Sequence, residues 1–350
     1  MPTTEKTGRV VRFTAPRRLE VVDEPLAPLE PGHVRLRTIY SGISAGTELT
    51  AYRGSNPYLA KRWDDARRLF VPEAVSLEYP VIGWGYEEVG EVVEVGPATT
   101  EVSPGDIVYG TWGHRSHHTV EATWAAERRL PPEADPLIGV FSRIGAIALN
   151  TVVDADIHVG EQVAVFGQGV PGLLVTQLAA LNGGAVMAVD GIDSRLDLAR
   201  KLGAWAVIDF REGSPAEAIK KLTDDRGADV SIEISGSYDA LAEAIRASAY
   251  NSRVVAAGFY QGGGAPLFLG EEFHHNRVAV ICSQISGVSP RVGHRWDLRR
   301  LERTALRLAV DERLDVQSLV THRIPVEQAA EAFELVDRHS DECGQVVLSF

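Results

Sequence analysis

Residues 162–190 read QVAVFGQGVPGLLVTQLAALNGGAVMAVD. Gln162–Phe166 is a short apolar run with β-branched residues, bounded by glycine, which is the pattern of a buried strand. Gly167, Gly169 and Gly172 follow as G-x-G-x-x-G. Leu173, Leu174, Gln177, Leu178 and Leu181 then recur at helical spacing, and Ala185–Val189 is a second apolar strand that ends on Asp190. Strand, glycine turn, helix, strand and acid in this order predict a dinucleotide-binding unit. Gly167 permits the tight turn. Gly169 lets the backbone approach a pyrophosphate, and Gly172 lets the helix pack close to the strand. Pro171 suits the first helical turn, where its missing N–H costs nothing. The free N–H groups of this turn, with Gln168 and Val170 completing it, face the phosphates. Asp190 would accept hydrogen bonds from a ribose 2′-OH and repel a 2′-phosphate, so the expected cofactor is NAD(H) rather than NADP(H).

Length and charge bound the rest. A chain of 350 residues suggests two domains and can bury a large core. The net charge of −13 argues against nucleic acid and anionic membrane as partners. No apolar run reads as long enough to span a bilayer, and the start, MPTTEKTGRVVRF, has no apolar signal core. Cys282 and Cys343, the only two cysteines, lie far apart and lack metal-ligand spacing, as expected of a cytoplasmic protein.

Before the glycine loop the chain is rich in strands and turns. Short strand-like runs occupy Arg9–Phe13, Leu19–Val22, Val34–Tyr40 and Val89–Val95, with turns at Pro31-Gly32, Gly96-Pro97 and Pro104-Gly105. They predict an antiparallel, barrel-like first domain. Tyr58–Phe70 reads as a basic helical segment, taken as a surface lobe rather than a substrate lid. After the loop, strands and helices alternate up to about residue 285. Six strands with helical crossovers predict a doubly wound parallel sheet. The tail carries helices at Leu298–Val310 and Val326–Arg338 and a last strand at Gln345–Phe350.

Taken together, ISAGTEL at 43–49, GYEEVGEVVEVG at 85–96, PGDIV at 104–108, the glycine loop, LVTHRIP at 319–325 and the closing GQVVLSF resemble the medium-chain dehydrogenases/reductases, the alcohol dehydrogenase superfamily. The resemblance covers nearly the whole chain. It implies an α/β fold: a doubly wound Rossmann domain at 151–285 and a GroES-like β-barrel domain made of 1–150 and 286–350. It also implies hydride transfer at C4 of a nicotinamide in the cleft between domains. Segments around Ser44–Leu49, His114–His117, Ala148–Asn150 and Phe273–Trp296 further resemble a branch that includes bacteriochlorophyllide hydroxyethyl dehydrogenases.

Against that family the departures are informative. Zinc-dependent members have a cysteine where Ser44 or Ala45 stands, a histidine where Tyr86 stands, and a third ligand in the region that here offers Ser142. Residues 53–80 contain no cysteine, so the structural zinc lobe is missing. Such sites need thiolate and imidazole donors, so neither a catalytic nor a structural zinc is expected. Five residues become candidates for the chemistry. Tyr86 stands at the former ligand position and would exchange a proton if its pKa were lowered. Thr47 matches the hydroxyl that opens the family's proton relay, and Glu48 and Glu87 sit on cleft-facing motifs. Among His114, His117 and His118, strand alternation sends His117 and His118 to opposite faces, and His117 is the one assigned to the cleft. Arg143, Arg295 and Trp296 are candidates for the substrate pocket. Ser235, Gly236, Ala257, Gly258 and Phe259 follow strands at their C-terminal ends, where open α/β sheets bind ligands. By resemblance, Ser283 and Gln284 run along the nicotinamide carboxamide.

The first reading is a zinc-independent, NAD-dependent enzyme acting on a secondary hydroxyl or its ketone. A metal-free C=C reductase, a redox-neutral enzyme that keeps its NAD, and a non-catalytic NAD-binding sensor are the alternatives. Val278–Ile281 would leave an apolar sheet edge, which predicts a two-fold homodimer that pairs it.

Overall fold

The computed structural model describes residues 6–350, which divide into two compact units. Along the chain, the first unit opens with strands β1 (Thr7–Ala15), β2 (Arg18–Pro25) and β3 (His33–Ile43) and helix α1 (Thr47–Arg53). It continues through β4 (Arg62–Asp64), β5 (Leu69–Val71), β6 (Val81–Ile82), β7 (Glu88–Val95), β8 (Ile107–Gly110), β9 (His117–Glu121) and helix α2 (Ala122–Ala126). Helix α3 (Phe141–Ala155) carries the chain into the second unit. There β10 (Gln162–Phe166), α4 (Val170–Leu181), β11 (Ala185–Asp190), α5 (Asp193–Lys201), β12 (Ala206–Asp209) and α6 (Pro215–Leu222) follow. Next come β13 (Ala228–Glu233), α7 (Tyr238–Ala247), β14 (Ser248–Ala256), α8 (Glu272–His275), β15 (Ala279–Cys282) and α9 (Leu298–Val310). The chain returns to the first unit with β16 (Val320–Pro325), α10 (Ala329–Arg338) and β17 (Gln345–Ser349).

The second unit holds one six-stranded parallel sheet in the order β12-β11-β10-β13-β14-β15, the doubly wound arrangement expected. Its strands are near-continuous apolar runs because helices cover both faces. Phe166, Met187, Val189, Ile208, Ile219, Leu241 and Val254 form a buried cluster there.

In the first unit, β3 is the centre of a mixed sheet. It pairs antiparallel with β7, β9 and β17, and β16 extends the sheet beyond β17. The returning segment therefore supplies two of the six strands of this sheet. Phe13 of β1, Tyr52 of α1 and Phe333 of α10 pack ring on ring, with centroids 5.1–6.1 Å apart.

Three expectations need correction. The units divide at Arg143/Ile144 and Val316/Gln317, not near 150 and 286. Helix α9 belongs to the second unit because Gly145 lets α3 approach closely: a Cβ there would lie 3.0 Å from that of Ala305. The Gln177 side chain also exchanges two hydrogen bonds with the Asp315 backbone, at 2.7 and 3.0 Å. Tyr58–Phe70 is not helical. A 3₁₀ turn at Pro57–Leu59, capped by the Asn56 side chain, leads into the β4–β5 hairpin, where Trp63 packs on Phe70 at 5.0 Å. Finally, Pro136–Ala155 is a 20-residue helical run apolar enough to cross a membrane by composition, and 78% of its most apolar window is buried inside the protein.

Candidate active site

The glycine loop has the geometry its sequence requires. Gly167 adopts φ +93°, open only to glycine without strain. A Cβ on Gly172 would lie 1.8 Å from the Gly167 carbonyl oxygen, so α4 can seat on the turn only because that side chain is absent. Around Gly169 the space is open, and the first N–H groups of α4 are left for a ligand. A dinucleotide pyrophosphate fits these residues. Asp190 is 7% exposed, and its carboxylate ties the turn together. It accepts from the N–H groups of Gln168 (2.6 Å), Gly191 (2.8 Å) and Ile192 (3.0 Å). Gln168 contributes only backbone, because its buried amide donates to the Val165 carbonyl and accepts from Thr176.

Ser235–Gly236, Ala257–Phe259 and Ser283–Gln284 lie just beyond the C-terminal ends of β13, β14 and β15, as predicted. Ser283 is buried beside Asn150, whereas the Gln284 amide oxygen turns back to the Ser286 N–H at 2.7 Å.

In the first unit, α1 and β7 bring three carboxyl groups inside. Glu48, Glu87 and Glu88 are each 0–1% exposed, and His114 is as deeply buried. His114 Nε2 lies 2.9 Å from Glu48 Oε2, and its Nδ1 lies 2.6 Å from Ser41 Oγ. Ser41 donates to Glu88 Oε1 at 3.1 Å, and the Trp112 N–H donates to Glu88 Oε2 at 2.7 Å. Gly85 allows this approach, since a Cβ there would meet Glu88 Oε1 at 3.0 Å and His114 Cε1 at 3.2 Å. One proton arrangement accounts for these contacts, although Glu48 Oε1 has no hydrogen-bond partner among the described residues. A protonated Glu48 donates to a neutral His114, which donates to Ser41, which donates to an ionised Glu88.

Burial sets the acidities of Glu48 and His114 in that direction and works against it at Glu88. It raises Glu48 well above the carboxylate range, against the nearby N–H groups of Ser44 and Tyr86. It raises Glu87 likewise, with Glu48 and Glu88 adding like charge. Glu88 is pushed up to about 7 by burial, opposed chiefly by His114. Burial lowers His114 to about 4. Among the described residues Glu87 Oε2 has no hydrogen-bond partner, and it faces Gly42, where a Cβ would come within 2.4 Å.

These shifts fix a pH dependence. An acid with a raised folded-state pKa binds more protons folded than unfolded between the two values, so stability falls as pH rises through that window. For Glu88 the window runs from the ordinary value, 4.5, to about 7. Glu88→Gln removes the term while its amide oxygen can still accept one of the two hydrogen bonds. Relative to the native chain, this variant should therefore gain stability steadily from pH 4.5 to 7 and level off above. Urea unfolding at several pH values checks this, and a pH-independent difference would refute it.

Tyr86 hydrogen-bonds through its hydroxyl to Ser44 Oγ, and the Thr47 side chain also supports it. The lowered phenol pKa on which proton exchange was made conditional is not found. Burial, with Glu87 and Glu48 adding negative charge, raises it above its ordinary 10.0. His117 is not the histidine of this cluster. It packs beside Gly8, with Nδ1 3.0 Å from Ser116 Oγ, and His114, which lies ahead of β9, meets the carboxyls instead. His118 stacks on Trp112 at 5.8 Å, and burial followed by Arg115 lowers it to about 4. Arg143 sits partly buried in the first turn of α3. Arg295 and Trp296 belong to the second unit, where the Arg300 guanidinium covers the Trp296 ring at 4.4 Å. Glu88, His114 and Ser41 carried no sequence signal as a group, because three separate segments supply them.

Residues 171–297 match the family model for zinc-binding dehydrogenases. The D-guloside 3-dehydrogenase of Escherichia coli strain K12 is 27% identical over 345 residues, 96% of this chain and 98% of that one. The 2R,3R-butanediol dehydrogenase of Bacillus subtilis superposes with a TM-score of 0.78 at 21% identity, covering 98% of this chain and 99% of that one. These matches support the resemblance to the medium-chain dehydrogenases/reductases. An L-threonine 3-dehydrogenase of Chelativorans sp. strain BNC1 is a further relative, 28% identical over 357 residues and covering 93% and 94% of the two chains.

The residues of this chain do not fit the metal of the matching family's description. Ala45, Tyr86 and Ser142 offer neither thiolate nor imidazole. Cys343 is buried in the core against α10 and β17, and Cys282 ends β15 in the other unit. Among the described residues, no three His, Cys, Asp or Glu side chains are grouped so as to hold a metal ion.

Proposed function

We propose that this dehydrogenase uses NAD(H) to move a hydride between nicotinamide and a secondary hydroxyl, or its ketone, on a sugar or similar polyol, without zinc. The observation that carries the reading is the hydroxyl group of Tyr86, held by Ser44 and Thr47 near the buried carboxyls of Glu87 and Glu48 where zinc donors are lacking. The name of the E. coli relative, D-guloside 3-dehydrogenase, supports a sugar hydroxyl as substrate.

NAD supplies the hydride acceptor at C4 when bound. Asp190 at the end of β11 favours a free ribose 2′-OH by its charge. Arg211 is the cation beside the neighbouring strand end. It is held by Asp209 at 2.9 Å and by Asp193, so it is already neutralised and poorly placed to receive a 2′-phosphate. Tyr86 stays protonated and donates to the substrate oxygen, which orients a hydroxyl and protonates a ketone during reduction. In oxidation the same path runs in reverse: the Tyr86 oxygen takes the hydroxyl proton as its own proton passes along its hydrogen bond to Ser44 and on to water, while Glu48 and Glu87, kept protonated by burial, leave the site uncharged.

The test is turnover of a panel of methyl glycosides and polyols with NAD or NADP, following reduced cofactor by absorbance and the oxidised carbon by NMR. NADH formation with at least about tenfold preference over NADPH is expected, equivalent to ~1.4 kcal/mol. Preference for NADP, or reduction of C=C bonds alone, would overturn the reading.

The same proposal includes a two-fold dimer. β15 ends the sheet with Ala279, Val280 and Cys282 exposed, an apolar edge that a second copy would pair. Val280→Lys should give monomers in light scattering, and a persistent dimer would place the interface elsewhere.

A further inference from the structure

We infer that Glu233 and Tyr260 form a clamp that positions the two loops under the nicotinamide half of the cofactor, an inference that rests on the NAD(H) reading above. In a doubly wound sheet the dinucleotide lies across the point where strand order reverses, here between β10 and β13. Asp190 marks the adenosine side, on β11. The other half then rests over the ends of β13, β14 and β15.

Glu233 is the last residue of β13 and is fully buried. Its Oε1 accepts from the Ser235 N–H at 2.8 Å, from the Ser235 hydroxyl and from the Gly236 N–H at 3.2 Å. Its Oε2 accepts from the same Gly236 N–H at 3.2 Å and from the Tyr260 hydroxyl. Its backbone carbonyl accepts from Ala257 (2.8 Å) and Gly258 (3.1 Å). One residue thus ties the loop after β13 to the loop after β14. The loops touch without side chains between them: a Cβ on Gly258 would lie 2.3 Å from the Gly236 nitrogen. Gly236 holds φ +78°, with the Phe259 carbonyl 3.0 Å from where its Cβ would be. Tyr260 is seated in turn by Tyr238, ring centroids 5.2 Å apart.

A carboxylate in this place does more than cap a strand. Strand-end loops left to solvent are mobile. Here a charged acceptor fixes both, and charge-assisted hydrogen bonds are the strong ones. Tyr260 is the only link in the set that reaches from beyond residue 258 of the second loop to the carboxylate, so its hydroxyl sets where that loop stands.

The experiment compares NADH with ADP-ribose, which keeps adenosine, pyrophosphate and ribose but lacks nicotinamide. Both are titrated against the native protein, Tyr260→Phe and Glu233→Gln. Tyr260→Phe should weaken NADH about tenfold, the effect of losing one hydrogen bond to a charged acceptor, and leave ADP-ribose within about twofold. Glu233→Gln should show the same split, larger. If Glu233→Gln does not fold, Tyr260→Phe decides alone, since it removes one oxygen from a partly exposed ring. Equal weakening of both ligands would make the pair merely structural and overturn the clamp, as would unchanged NADH binding in Tyr260→Phe. A native protein that binds neither NADH nor NADPH would overturn the cofactor reading, and the clamp with it; that outcome is read before any variant is compared.

Discussion

Tyr86→Phe is expected to lower turnover about a hundred- to ten-thousandfold while leaving NADH affinity unchanged, the range typical of losing a positioned proton donor. The ring and its packing remain, and only the hydroxyl shared with Ser44 and Thr47 is lost. Because burial and the neighbouring carboxyls raise the phenol above 10.0, it holds its proton throughout the neutral range. The native rate should therefore show no step from phenol ionisation below pH 10. Steady-state kinetics with a glycoside found in the panel, with cofactor binding measured separately, checks both statements. Undiminished turnover would remove Tyr86 from the chemistry. Tyr86→His offers a complementary check: one imidazole beside Ala45 and Ser142 still lacks a thiolate, so it should not create a zinc site.

Phe333→Ala is expected to destabilise the protein by about 3–5 kcal/mol, the cost of emptying a large, fully buried aromatic site. Phe333 is 0% exposed and touches Phe13, Tyr52 and, edge-on at 5.5 Å, the His114 ring. It is the residue through which the returning C-terminal segment is fastened to strands laid down at the start of the chain. Losing it should loosen the carboxyl cluster along with the core, so turnover should fall more than the folded fraction does. Urea unfolding followed by tryptophan fluorescence gives the first quantity. A loss below about 1 kcal/mol would mean that the aromatic trio does not hold the segment.

These two residues differ in how far the chain alone announces them. The second unit was legible because its strands are apolar on both faces and its loop needs glycine at fixed positions; the strands expected at Gln162–Phe166 and Ala185–Val189 fall within one residue of their places. The first unit was legible as strands and turns, and Tyr86 stood out against the family pattern. Its buried charges were hidden. Carboxylates are assigned to the surface by default, and nothing local marks Glu88, the first residue of β7, or Glu87 just before it, as buried. Glu88 is covered by Ser41 and Trp112, and Glu87 lies against Gly42. His114 was passed over for His117 because alternation speaks only for residues already on a strand, and His114 precedes β9. The lobe at 58–70 was misread as a helix, while Asn56 and the Asp64–Arg67 turn favour a hairpin. Glu233 was passed over because an acid at a strand end looks solvated, although here two loops cover it.

The most direct measurement is turnover by protein stripped of metal. Purified chain would be dialysed against a strong chelator, analysed for zinc, and assayed with NAD and a glycoside from the panel, then assayed again after zinc is added back. Full NADH production at well under one zinc per chain, with no gain on adding zinc, is the predicted result. Activity that vanishes on stripping and returns in proportion to one zinc per chain would contradict the account.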